Sequence, residues 1–246
     1  TLRSEEFSKI EVITNPPAEY EASGTGGIVH IILKKARKDG YNGSVNAQYR
    51  QQGSEPYVST AALLNYKKRK LYLTGGYTFQ KDVKRILDTA YMQYTDKSSI
   101  YNKTDRMDGA VRNQWRGTVG YDITNDQYLE LQQTLNISDF TNSFNSDLRY
   151  TIDGGGARGN TWSDKDRRVL FGSTTFNYLY RLDSLGSKLT VNAEHTYNDK
   201  REVNRFNEVY TGYFPNVTYR TSVPFSTRIV SAQANYHQVL KKKTGI

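Results

Sequence analysis

The chain contains no cysteine. A disulfide framework, thiol catalysis and zinc sites of the cysteine type are therefore excluded. It is also poor in aliphatic side chains: Leu, Ile, Val and Phe together make up 53 of 246 residues, close to the roughly 20% at which disorder becomes the default for a charged chain. No stretch approaches the roughly 18–20 apolar residues of a membrane helix. Thr1-Leu2-Arg3 carries neither an initiator Met nor a signal-peptide pattern, and Lys241-Lys242-Lys243-Thr244-Gly245-Ile246 follows directly on a strand-like run. Both ends are expected to be cuts in a longer chain. His30, His195 and His237 have no ligand spacing. No paired carboxylates, nucleophile elbow or triad signature stands out. No catalytic residue, metal ion or cofactor is expected.

What is present points elsewhere. The chain has 20 Tyr and 9 Phe, and disordered chains are poor in aromatics. Few aliphatics and many tyrosines suit a sheet with one apolar and one wet face. The formal net charge is +9. The basic residues fall in short runs, at 34–38, 67–70 and 241–243, between strand-like segments. They are expected in solvated turns, with anionic lipid headgroups as the second reading. Nucleic acid is not an expected partner, because it wants one coherent basic face.

After residue 40, apolar and polar residues alternate with period two, in runs about as long as a strand that crosses a membrane. Eight runs stand out, at 44–50, 58–66, 71–80, 115–123, 129–137, 170–180, 189–197 and 230–236. A soluble half-buried sheet alternates too. Here each apolar set carries an aromatic near an end: Tyr66, Tyr121, Tyr180 and Tyr236 at one, Tyr77, Phe79, Trp115 and Tyr197 at the other. Aromatic girdles at both interfaces of a membrane produce that pattern. The opposite face is strongly polar, as in a wet lumen. Connections are short at 67–70, 124–127 and 182–187, and long polar loops are expected at about 82–112, 140–167 and 200–226. Only the connection at 52–56 is short where a long one is due.

The first forty residues differ. Ile10-Glu11-Val12-Ile13 signals a short strand, Asn15-Pro16-Pro17 breaks it, Gly24-Thr25-Gly26-Gly27 turns, and Ile28 to Leu33 is a continuous apolar run of the buried kind. No Lys-Ser/Thr pair follows Gly27, so the glycines do not form a phosphate-binding loop. The segment resembles the end of the plug domain of TonB-dependent outer-membrane receptors, nearest to the outer-membrane β-barrel branch. The resemblance rests on Ile10-Glu11-Val12, Pro16, Ala18, Tyr20, Gly24, Gly26-Gly27, Ile28, Ile31-Ile32 and Lys34. It departs from many members at Thr14-Asn15, where Arg-Gly is common, and at His30, where Asn is commoner.

The resemblance implies an all-β chain: residues 1–38 as the C-terminal end of a plug domain, and 39–246 as the N-terminal portion of an antiparallel transmembrane β-barrel, about eight strands of a larger wall. It implies TonB-dependent uptake of a nutrient (siderophore, cobalamin, glycan or peptide) in the outer membrane of a Gram-negative bacterium. Outer-membrane lipid, the TonB system acting through a segment upstream, and a surface lipoprotein are the partners it implies. Glu11, Asn15, Pro16, Tyr20, Gly24, Gly26, Gly27 and Lys34 carry the plug motif. Tyr91, Tyr94, Tyr101, Trp162, Tyr210, Tyr213 and Phe214 are expected ligand contacts in extracellular loops, because aromatic faces stack on sugars and on apolar or cationic ligands. Gln48, Arg50, Arg116 and Glu130 are expected to face the plug. The alternatives are a small structural or adhesive barrel and a soluble β-rich carbohydrate-binding module.

Overall fold

Period-two alternation demands extended strands, and turn residues decide where they reverse. The computed structural model describes residues 7–13, 28–33, 39–152, 155–212 and 215–240. These are all-β, with no helix among the described residues. β1 (Phe7–Ile13) and β2 (Ile28–Leu33) form a two-stranded antiparallel sheet in which Glu11 lies opposite His30. The hairpin occupies the strand signals read from the sequence. Most of the plug motif (Asn15, Pro16, Tyr20, Gly24, Gly26, Gly27 and Lys34) lies outside the described residues.

The remaining strands form a single eight-stranded antiparallel meander: β3 (Gly40–Gln52), β4 (Glu55–Lys68), β5 (Leu71–Gln93), β6 (Ser99–Asp122), β7 (Gln127–Ile152), β8 (Gly155–Arg181), β9 (Lys188–Thr211) and β10 (Val217–His237). Each pairs only with its sequence neighbours, so β3 and β10 are open edges among the described residues. All eight sequence-derived strands are present, in the expected order.

The expected long loops are not loops. Residues 82–112, 140–167 and 200–226 are mostly strand: β5 and β6 pair without interruption out to Gln93–Ser99, and β7 and β8 out to Ile152–Gly155. Polar residues suffice here because the ladder satisfies the backbone, and cross-strand pairs such as Arg85–Asp105 at 2.5 Å satisfy the side chains. Gly155 and Gly156 begin β8.

The turns are built by short polar side chains. Between β8 and β9, Asp183 Oδ1 accepts from the backbone N–H groups of Leu185 and Ser187, both at 2.9 Å. Between β6 and β7, Thr124 Oγ1 accepts from Asp126 and Gln127. Gly53, at φ +64°, supplies the left-handed residue that reverses β3 into β4. Such side-chain-to-backbone bonds are why Asp and Thr recur there, and tolerance of positive φ is why Gly does.

Candidate functional site

Direct cross-strand partners share a face, so the register decides which side chains meet. One row runs Tyr41, Tyr66, Leu73, Val119, Leu131, Phe176, Ala193, Ala232 across all eight strands. A parallel row runs Val45, Ala62, Tyr77, Trp115, Leu135, Gly172, Tyr197. The rows lie four positions apart, and with Leu129 and Ile137 outside them on β7 they belong to an apolar band on one face, nine residues tall there, close to the roughly 9–11 residues a membrane-crossing strand needs. The band is open to its surroundings: Leu131 is 48% exposed, Val119 48% and Tyr121 45%. Tyr77 and Trp115 pack at its upper edge, ring centroids 5.3 Å apart. At Gly75 and Gly117 the band is furrowed, and the groove holds about 720 Å³ between Tyr41, Leu64, Leu73, Val119 and Leu131.

Across the same strands the opposite face is polar. Gln48, Arg50, Arg116 and Glu130 all fall on it by register. Glu130 accepts from the Tyr128 hydroxyl at 2.8 Å and from Asn177 Nδ2 at 3.2 Å.

Beyond Ile137 the apolar parity of β7 exchanges. β7 carries its apolar residues at odd positions through Ile137 and at even positions from Phe140, through Phe144, Leu148 and Tyr150, with no break in register to either neighbour. β9 adds Phe206 and Tyr210 at even positions after Tyr197, while Val203 and Val209 keep the odd ones. Phe140, Phe144, Tyr150, Phe206 and Tyr210 therefore sit on the face that is polar lower down. Phe206 stacks on Tyr219 with centroids 4.7 Å apart, and Tyr150 meets Tyr210 at 6.4 Å. Ser146, Ala157, Thr161 and Ser163, all on this face, are 5% exposed or less, so this is the crowded side of the sheet. At Gly159 an added Cβ would lie 2.6 Å from the Tyr210 ring; the missing side chain lets that ring lie flat against β8.

At the junction of band and hairpins, on this same face, is a cleft of about 540 Å³. Its lining brings four cations, Lys84, Arg112, Lys165 and Arg167, against two acids, Asp82 and Asp108. Phe140 lies between two guanidinium groups, with Arg167 Cζ 4.2 Å and Arg112 Cζ 5.2 Å from its ring centroid. Asp108 is engaged by Arg106 at 2.8 Å and by Asn142. Glu202 is held by Lys165 at 2.9 Å and Lys200 at 3.0 Å. Neither Arg112 nor Arg167 pairs with a carboxylate among the described residues. Arg167 Nε, Asn136 Oδ1 and Asn198 Oδ1 are buried without a hydrogen-bond partner, and the two asparagines flank Phe171 on either side.

Electrostatics around the cleft follow from these pairs. The Lys165 and Lys200 ammonium groups hold the Glu202 carboxyl below its ordinary range. A depressed carboxylate adds stability above its unfolded-state pKa and loses it as pH falls through the folded value. Protease resistance of the β8–β9 hairpin is therefore expected to be flat from neutral pH down to the ordinary carboxylate range and to decline only below it. Glu202→Gln should lessen that decline, leaving the share carried by Asp183 in the β8–β9 turn, whose carboxyl the Ser187 and Leu185 hydrogen bonds also hold down, read by limited proteolysis across a pH series.

The aromatic candidates read from the sequence are not gathered in one place. Tyr91 and Tyr101 are direct partners near the tip of β5 and β6, on the face that carries the band, with Arg149 5.7 Å from the Tyr101 ring. Tyr94 lies in the turn between those strands, its N–H bonded to Ser98 O at 2.8 Å. Trp162 is 40% exposed on the same face, between Asn145 and Asn207. Tyr210 alone is on the crowded face, where it donates to Glu208 at 2.6 Å and burial pushes its hydroxyl above the ordinary phenol range. Tyr213 and Phe214 lie outside the described residues. The Arg112–Phe140–Arg167 group went unread in the sequence. Its signal is the exchange of parity at Phe140, which is visible only once 140–167 is taken as strand.

Among the described residues, no group of three or more His, Asp or Glu side chains is placed to hold a metal ion. Comparison with known protein families and with curated proteins gives no match.

Proposed function

We propose that the chain is part of a TonB-dependent outer-membrane transporter, with 1–38 as the end of its plug and 39–246 as the first part of its barrel wall. The observation that carries the reading is the eight-stranded apolar band, one membrane thickness tall, backed by a polar face. The aromatic edges of the band and the resemblance of residues 10–34 to a plug end support it. The open edges of β3 and β10 favour a larger wall over a closed eight-stranded barrel, whose interior its own side chains would fill. On this reading the long hairpins project outward, and their crowded aromatic face lines the entrance through which a nutrient passes. Uptake would draw energy from the inner membrane through the TonB system.

The test is fractionation of source cells with an antibody to this segment. We expect a band far larger than 28.2 kDa in the outer-membrane fraction, resistant to carbonate washing and released by detergent. A band of about this chain's own size in the outer membrane would favour a small closed barrel. Recovery in the soluble fraction would sink the membrane reading and leave a soluble binding module.

A further inference from the structure

We propose that the Arg112–Phe140–Arg167 cleft is a binding site for an oxyanion borne on a planar apolar body, an aryl carboxylate or an aryl phosphate. The biological use of the site rests on the uptake reading; its chemistry does not. Phe140 and Arg167 are direct cross-strand partners on β7 and β8, and Arg112 stands on β6 opposite Ser138, the next position of β7 on that face. Two guanidinium groups thus bracket one phenyl ring, at 4.2 and 5.2 Å.

Cation–π contact orients a guanidinium but leaves its N–H donors unspent. The local acids do not take them up. Asp108 is committed to Arg106 and Asn142, and Glu202 to Lys165 and Lys200. Arg167 Nε is buried with no acceptor. A buried unmatched donor is destabilising, a penalty that an incoming oxyanion would relieve. Guanidinium forks match carboxylate and phosphate oxygens in a bidentate way. Phe140, Ala110 and the alkyl part of Lys165 give the ligand body an apolar floor.

The experiment is equilibrium dialysis of the full-length protein in detergent against labelled benzoate and phenyl phosphate, with benzyl alcohol as the neutral isostere. Binding of at least one anion, weakened by salt, and none of benzyl alcohol is the expected result; which anion prevails separates carboxylate from phosphate recognition. Arg167→Gln and Arg112→Gln should each lower affinity by about tenfold or more, the loss expected for a charged hydrogen bond. Arg167→Lys should restore it only in part, since an ammonium lacks the fork. Arg168→Gln, one residue away but on the other face, makes the same charge change and should leave affinity unaltered. Failure of the wild-type protein to bind either anion, or equal losses in the Arg167 and Arg168 variants, would overturn the site. Anion binding without TonB-dependent uptake would leave the site standing and remove the transport reading; uptake without anion binding would do the reverse.

Discussion

Leu131→Arg is expected to remove most folded protein from the outer membrane, whereas Gln132→Arg, the next residue, is expected to be nearly silent. Leu131 sits mid-band between Val119 and Phe176, and about half of its surface is open. If that surface faces lipid, an arginine there costs about 2–4 kcal/mol near the bilayer midplane. Native stabilities are about 5–15 kcal/mol, so the loss is a large share of what holds such a wall together. Gln132 points to the polar face, between Thr118 and Thr175, where a cation keeps its water and the change should stay within about 0.5 kcal/mol. The measurement is folded protein recovered in the outer-membrane fraction, with unfolding midpoints in guanidinium for variants that assemble. The contrast between neighbours is the diagnostic feature. A soluble sheet with a packed apolar face would also suffer at Leu131, but its variant would aggregate in the soluble fraction. Equal tolerance of both arginines would mean that the band faces water.

The eight strands were legible because a sheet with one apolar face repeats the same alternation in every strand. Val119, Leu131 and Phe176 announce themselves in the sequence for that reason. The hairpin extensions were not legible. There neither face is uniformly apolar, so no single parity is imposed. Asp139, Thr141 and Ser143 replace Leu135 and Ile137 on one face while Phe140 and Phe144 appear on the other. A reader tracking apolar residues at odd positions sees the pattern stop at Ile137 and infers a loop. The backbone ladder does not depend on side-chain polarity and continues to Ile152. The same blind spot hid the cleft: Arg112 and Arg167 lie far apart in sequence, and both fell within stretches read as loop. The aromatic candidates are divided between the faces for a related reason. They were chosen as stacking rings in stretches read as loop, but face is set by position parity, which puts Tyr91, Tyr101 and Trp162 on one side and Tyr210 on the other.

Orientation across the membrane gives the other large effect. β7 runs on from Ile137 to Ile152, about 50 Å beyond the band at roughly 3.3 Å per residue. At its other end, the turn before Gln127 closes at once, with Ile123 N–H bonded to Gln127 O at 3.0 Å. Outer-membrane barrels keep short turns in the periplasm and long connections outside. Asp147→Cys on the projecting arm and Asn125→Cys in the tight turn should therefore lie on opposite sides of the membrane. The chain contributes no competing thiol. On intact cells a membrane-impermeant maleimide should label Asp147→Cys strongly and Asn125→Cys hardly at all, and permeabilising the outer membrane should equalise them. Asp147 is exposed on its strand between Lys103 and Asn160, so failure to label it cannot be blamed on burial within the sheet. The reversed pattern would put the hairpins in the periplasm and deny the Arg112–Phe140–Arg167 cleft any direct access to external ligand. Equal labelling of both sites on intact cells would leave no membrane between them, and the apolar band would then need a protein partner to cover it.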